Sequence, residues 1–109
     1  MTDEEFDKAC NFLLEGLRDQ RPKLAKELTK LMNAPRFRGL SKKDRKIGKI
    51  RLLHQEEPGA ISQIFAAENA AWAREERSDM SSFFYMLERR TTFLNPYGER
   101  TGGNYTAKA

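Results

Sequence analysis

Thr2-Asp3-Glu4-Glu5-Phe6-Asp7-Lys8-Ala9-Cys10-Asn11-Phe12-Leu13-Leu14-Glu15-Gly16-Leu17-Arg18 opens the chain with a helix start and a helix period in the same seventeen residues. Thr2 and Glu5 have the spacing of a capping box, in which a hydroxyl and a carboxylate satisfy each other's free amide hydrogens. Phe6, Cys10, Leu13 and Leu17 then recur at intervals of three and four, the mark of a helix with one apolar face. The stretch predicts a first helix over 3–18. The rest of the chain agrees with a helical reading: it holds 11 Leu, 11 Ala and 4 Met but only 4 Ile and no Val, so strand-favouring side chains are nearly missing.

Outward from that helix, Pro22 sits where a second helix starts, Leu24, Leu28 and Leu31 form its stripe, and Pro35 stops it after Met32. The two helices are expected to form an antiparallel hairpin. Ser41 is placed to cap a third helix, with Asp44 in its first turn and Ile47, Ile50 and Leu53 facing inward, ending near Glu57-Pro58-Gly59. A fourth helix over 60–77 is rich in alanine (Ala66, Ala67, Ala70, Ala71, Ala73), with Ile61, Ile64, Phe65 and Trp72 filling volume. Small residues permit close approach, so this helix is the expected centre of the bundle. Ser78 or Asp79 caps a fifth, whose stripe is Met80, Phe83, Phe84, Leu87 and Leu94. The expected fold is all-α, a compact bundle of about five helices in one domain over 1–94. A flexible polar C-terminal tail follows over 95–109, where three glycines stand among small polar residues.

Several classes of function are disfavoured by the residues themselves. The acidic start 3–7 is unlike a signal peptide, and no apolar run has the length of a bilayer-spanning helix, so the chain is expected to be cytoplasmic and to have no membrane partner. Asn104-Tyr105-Thr106 fits the N-glycosylation pattern, which has meaning only in a secreted chain. The single cysteine, Cys10, lies on the apolar face of the first helix and reads as a small buried hydrophobe. The single histidine, His54, lacks the further His or Cys ligands of a zinc site and reads as a helix-surface or half-buried residue. Glycines 98, 102 and 103 lack the strand-to-helix setting of a phosphate loop, and the pairs Glu56-Glu57 and Glu75-Glu76 point to different sides of a helix. No enzyme, cofactor or metal is expected.

Charge is where the sequence becomes specific. The formal net charge is only +4, yet it is partitioned: residues 1–20 carry −4, 21–55 carry +10, 56–88 carry −5 and 89–109 carry +3. The centre of the basic band is Arg36, Arg38, Lys42, Lys43, Arg45, Lys46, Lys49 and Arg51, with Phe37 among them. At helical spacing Lys42, Arg45, Lys46 and Lys49 share one face of the third helix as a cationic ridge. Such a ridge suits phosphates, and an exposed Phe37 would stack on an unpaired base. Contact with about five duplex phosphates gives a log–log salt slope of roughly −4.5. The opposing reading is that the acids of the first helix cover the ridge as surface ion pairs, each worth little.

The stretch 70–90 has the outline of a helix-turn-helix, but it lacks a turn glycine and spends its recognition positions on Phe83, Phe84 and Tyr85. In overall type, a short helical body with a basic helix and a polar tail is similar to small phage and plasmid DNA-handling proteins. The expected function is a non-enzymatic nucleic-acid-binding accessory protein for DNA handling, regulation or packaging, with DNA ahead of RNA. The alternative is an adaptor or inhibitor that docks on the acidic surface of a larger protein. Homo-oligomers through the acidic and basic bands are compatible with both.

Overall fold

A computed structural model describes residues 1–68 and 77–94. Within them the chain forms five α-helices: α1 (Asp3–Gln20), α2 (Pro22–Met32), α3 (Lys42–Glu56), α4 (Ala60–Glu68) and α5 (Arg77–Arg90), with a 3-10 turn at Pro35–Phe37 and no strand. The helix ends follow from local chemistry. Thr2 Oγ1 accepts from the Glu5 amide at 3.1 Å while Glu5 Oε1 accepts from the Thr2 amide at 2.8 Å, completing the capping box. Ser41 Oγ accepts from the Asp44 amide at 3.0 Å and starts α3. Gly39 and Gly59, at φ +95° and +93°, supply the left-handed backbone that leads into α3 and leaves it.

The core is built on α1. Its buried stripe, Phe6, Ala9, Cys10, Leu13 and Leu17, packs against α2, α3 and α4. The rings of Phe6 and Phe65 each meet Phe83 of α5, at 5.2 and 5.7 Å between centroids. At the junctions, Arg21 between α1 and α2 pairs with Glu57 at the end of α3, and the Gln20 amide donates to the Ile64 carbonyl at 3.3 Å. Thr91, after α5, is fully buried. Its hydroxyl donates to the Leu87 carbonyl at 2.5 Å and accepts from Arg51 at 2.7 Å, fixing α3 to α5.

Two expectations about packing are corrected. The alanine-rich helix is not the centre: among the described residues α3 packs against α1, α2, α4 and α5, while α4 turns Ala66 and Ala67 to solvent and buries Ala60, Ile61, Ile64 and Phe65. On α2 the buried stripe runs from half-buried Leu24 through Leu28 to Met32, leaving Leu31 40 % exposed. Met32 takes that role because Gly48 of α3 faces it: a Cβ at Gly48 would lie 2.5 Å from Met32 Cε and 3.0 Å from Sδ. The alanines at 70, 71 and 73, Trp72, the proposed helix-turn-helix turn and the tail over 95–109 lie outside the described residues.

The contact at Gly48 sets how closely α2 and α3 approach. Gly48→Val is expected to lower unfolding free energy by about 1–3 kcal/mol through overpacking, read as a fall in the urea midpoint at unchanged m-value. A variant as stable as wild type would mean that the end of the Met32 side chain swings aside without cost.

Candidate nucleic-acid interface

The basic residues of the central band divide into groups with different surroundings. Lys42, Arg45, Lys46 and Lys49 do share a face of α3, where Ser41 starts the helix and the buried Ile47 and Ile50 fix its roll. Lys42 and Lys46 are exposed, with no ion-pair partner among the described residues. Arg45 donates to neutral oxygens, Asn33 Oδ1 at 2.9 Å and the Leu40 carbonyl at 3.3 Å. Lys49 donates to the Thr29 hydroxyl at 3.2 Å, and that hydroxyl donates in turn to the Ala25 carbonyl. Among the described residues none of the four is in an ion pair. The same row continues, one turn beyond Lys49, into fully buried Leu53, so the cationic face occupies only the N-terminal half of α3.

The other members of the band face elsewhere. Lys43 pairs with Asp7 of α1 at 3.1 Å, the only ridge-side base that an α1 acid reaches. Arg51 points to the opposite side of α3 and is held by Thr91. Arg36 and Arg38 are exposed in and after the 3-10 turn, the Arg36 guanidinium lying 4.9 Å over the Phe37 ring. Phe37 itself is 0 % exposed. The expectation that it stacks on an unpaired base is therefore corrected: the 3-10 turn folds its ring into the core, where burial of a large apolar surface outweighs exposure.

The acids of α1 are largely occupied away from the ridge. Asp3 and Asp7 meet Arg90 of α5 at 3.0 and 3.7 Å, Glu4 pairs with Lys8, and Glu5 serves the cap. The cationic face instead borders an open cleft of about 700 Å³ between α1, α2 and α3, with Leu14, Leu17 and Ala25 in its lining and Arg18 and Lys26 beside Lys46 and Lys49. Spacing within α3 disclosed the ridge, but Asn11, Arg18, Lys26 and Thr29 of the cleft went unread. Each looks like an ordinary polar position on its own helix, and only the packing of three helices brings them to the ridge.

Two titratable groups register these surroundings. Burial, with the Lys46 ammonium as the second cause, lowers the pKa of the Lys49 ammonium below the ordinary lysine value. Burial, followed by the Asp7 carboxylate, pushes the Cys10 thiol up to about 12. With 4 % exposure Cys10 is the small buried hydrophobe its position predicts. His54 lies half-buried against Phe84, ring centroids 4.7 Å apart, with Nδ1 buried and without a hydrogen-bond partner. Among the described residues no three His, Cys, Asp or Glu side chains gather as metal ligands, and no helix is long and apolar enough to cross a membrane. No protein-family model, no curated protein and no solved structure matches the chain.

A lysine whose folded pKa is lowered binds its proton less well folded than unfolded, so it costs stability at neutral pH. That cost fades as pH rises through the folded pKa towards the unfolded value of 10.5. Lys49→Met is expected to be more stable than wild type at pH 7, by under about 1 kcal/mol because solvent screens the site, with the difference shrinking as pH approaches 10.5. Paired urea titrations at the two pH values check this, and a difference that grows with pH contradicts it. For Cys10, a thiol reagent at pH 8 is expected to react far more slowly with the folded chain than with the urea-unfolded one. Equal rates would place the thiol at the surface.

Proposed function

We propose that this chain is a non-enzymatic nucleic-acid-binding accessory protein, with DNA ahead of RNA as its partner, that grips phosphates through the N-terminal half of α3. The observation that carries the reading is that Lys42, Arg45, Lys46 and Lys49 present four positive charges on one face, none of them in an ion pair among the described residues. Cations left unneutralised within one protein are available to neutralise phosphates and release their counterions.

The chemistry favours positioning on the backbone over base reading. Three of the four cations are lysines, compact point charges without the planar fork that matches guanine. The one arginine, Arg45, already spends donors on Asn33 and Leu40. Phe37, the aromatic ring of the basic band, is in the core and is not available to stack on bases. Binding of this kind tolerates many sequences and depends strongly on salt.

Four phosphate contacts on a duplex give a log–log salt slope of about −3.6, shallower than five contacts would. Fluorescence anisotropy with a labelled 20-base-pair duplex over a salt series checks this. Lys42→Glu with Lys46→Glu, both at exposed positions that leave the core alone, is expected to weaken binding at least tenfold. No binding at the lowest salt, or equal affinity for wild type and the double variant, would overturn the proposal.

A further inference from the structure

We infer that the nucleic acid held by this chain is a single strand, lying in the groove between α1 and α3 with its phosphates on Lys42, Lys46 and Lys49. The inference rests on the nucleic-acid reading and specifies the partner's form. The 700 Å³ cleft adjoins a second one of about 400 Å³ nearer the start of α1, and Asn11 and Lys46 line both. Together they make one groove that follows α1 from Asp7 to Arg18, which is about 16 Å at 1.5 Å per residue.

One wall of this groove is a regular row of charge. Lys42, Lys46 and Lys49 stand at i, i+4 and i+7, so their positions step by about 6 and 4.5 Å along the axis of α3. Arg18 and Lys26 add charge at the wider end. Of the carboxylates on the groove, Asp7 is already paired with Lys43 and Arg90, which leaves Glu15 facing the cations. The charge complement of the groove is therefore a polyanion.

Shape and lining then narrow the choice of polyanion. At about 700 and 400 Å³ the two clefts have the volume of small-molecule sites, room for the sugars and bases of one strand. A duplex lays phosphates along the same cationic face but keeps its bases paired and away from the cleft lining. Leu14, Leu17 and Ala25 line the wider part with apolar surface, which suits the faces of sugars and unpaired bases, and which the paired bases of a duplex do not present. Lys49 is half-buried within the groove on Thr29. A phosphate of an entering strand would give it the anion that it lacks, relieving both its desolvation and its repulsion from Lys46.

The experiment blocks the groove without touching its charge. Asn11 is exposed and lines both clefts, so Asn11→Trp fills the groove by a neutral exchange outside the core, and Asn11→Ala is the control. Affinities for a labelled 12-nucleotide oligo(dT) and for a 12-base-pair duplex are measured at one salt concentration, with circular dichroism and thermal melting to establish that each variant is folded. The expected result is tighter binding of the strand than of the duplex by wild type. Asn11→Trp should then lose at least tenfold in strand affinity with duplex affinity within twofold, and Asn11→Ala should lose neither. Duplex binding that equals or exceeds strand binding, or strand binding that Asn11→Trp leaves intact, overturns the single-strand inference while the nucleic-acid reading stands. Binding of neither ligand by wild type removes both.

Discussion

Burial of Phe6, Leu13 and Leu17 fixes the roll of α1, and that one constraint decides which charges in the protein are neutralised. With the apolar stripe facing the core, Asp3 and Asp7, one turn apart, fall on the flank next to α5 and the start of α3. There they meet Arg90 and Lys43. The helix could satisfy more bases only by rolling, and rolling would expose the two leucines and a phenylalanine, each worth about 1.5–3 kcal/mol when buried. The surface pairs themselves contribute under about 1 kcal/mol each. Packing therefore wins, and the acids of α1 reach Lys43 but leave Lys42 and Lys46 without an ion pair among the described residues.

The second consequence of close packing is the groove. Gly48 lets Met32 of α2 lie against α3, which draws Thr29 and Ala25 up to Lys49 and makes the wall of the cleft from three helices at once. The cost appears in Lys49, an ammonium half-withdrawn from water beside another ammonium and bonded to a neutral hydroxyl. A protein optimised for stability alone would place an apolar residue there. Retention of a destabilising charge in a cleft is what a binding surface requires, since the charge is then compensated only when an anion arrives.

Features governed by neighbours in sequence were legible before the structure. The Thr2–Glu5 box, the Ser41 cap, proline at the start of α2 and the inward side of α3 depend on residues within one turn, and each is found as spacing predicts. So is the shared face of Lys42, Arg45, Lys46 and Lys49. One local reading failed, since α5 runs from Arg77 to Arg90, with Ser78 and Asp79 inside it rather than capping it and Leu94 beyond its end; the other failures required knowing which element lies opposite. Leu31 and Met32 are equally apolar, and only the gap above Gly48 selects Met32. Phe37 reads as an exposed loop aromatic until the 3-10 turn brings it inward. Arg51 belongs to the basic band by position, yet its partner Thr91 is forty residues away. The groove was illegible for the same reason: Asn11, Arg18, Lys26 and Thr29 carry no common signal along the chain.

In the proposed function, core packing leaves the α3 lysine row and its groove as the surface for nucleic acid. The most direct measurement is residue-by-residue amide chemical-shift mapping by NMR during titration with a short oligonucleotide. The account predicts perturbations concentrated on Asn11, Thr29, Lys42, Lys46 and Lys49, with Arg51, Tyr85 and Arg89 quiet. Perturbations centred on α5, or none at any ratio of oligonucleotide to protein, would contradict it.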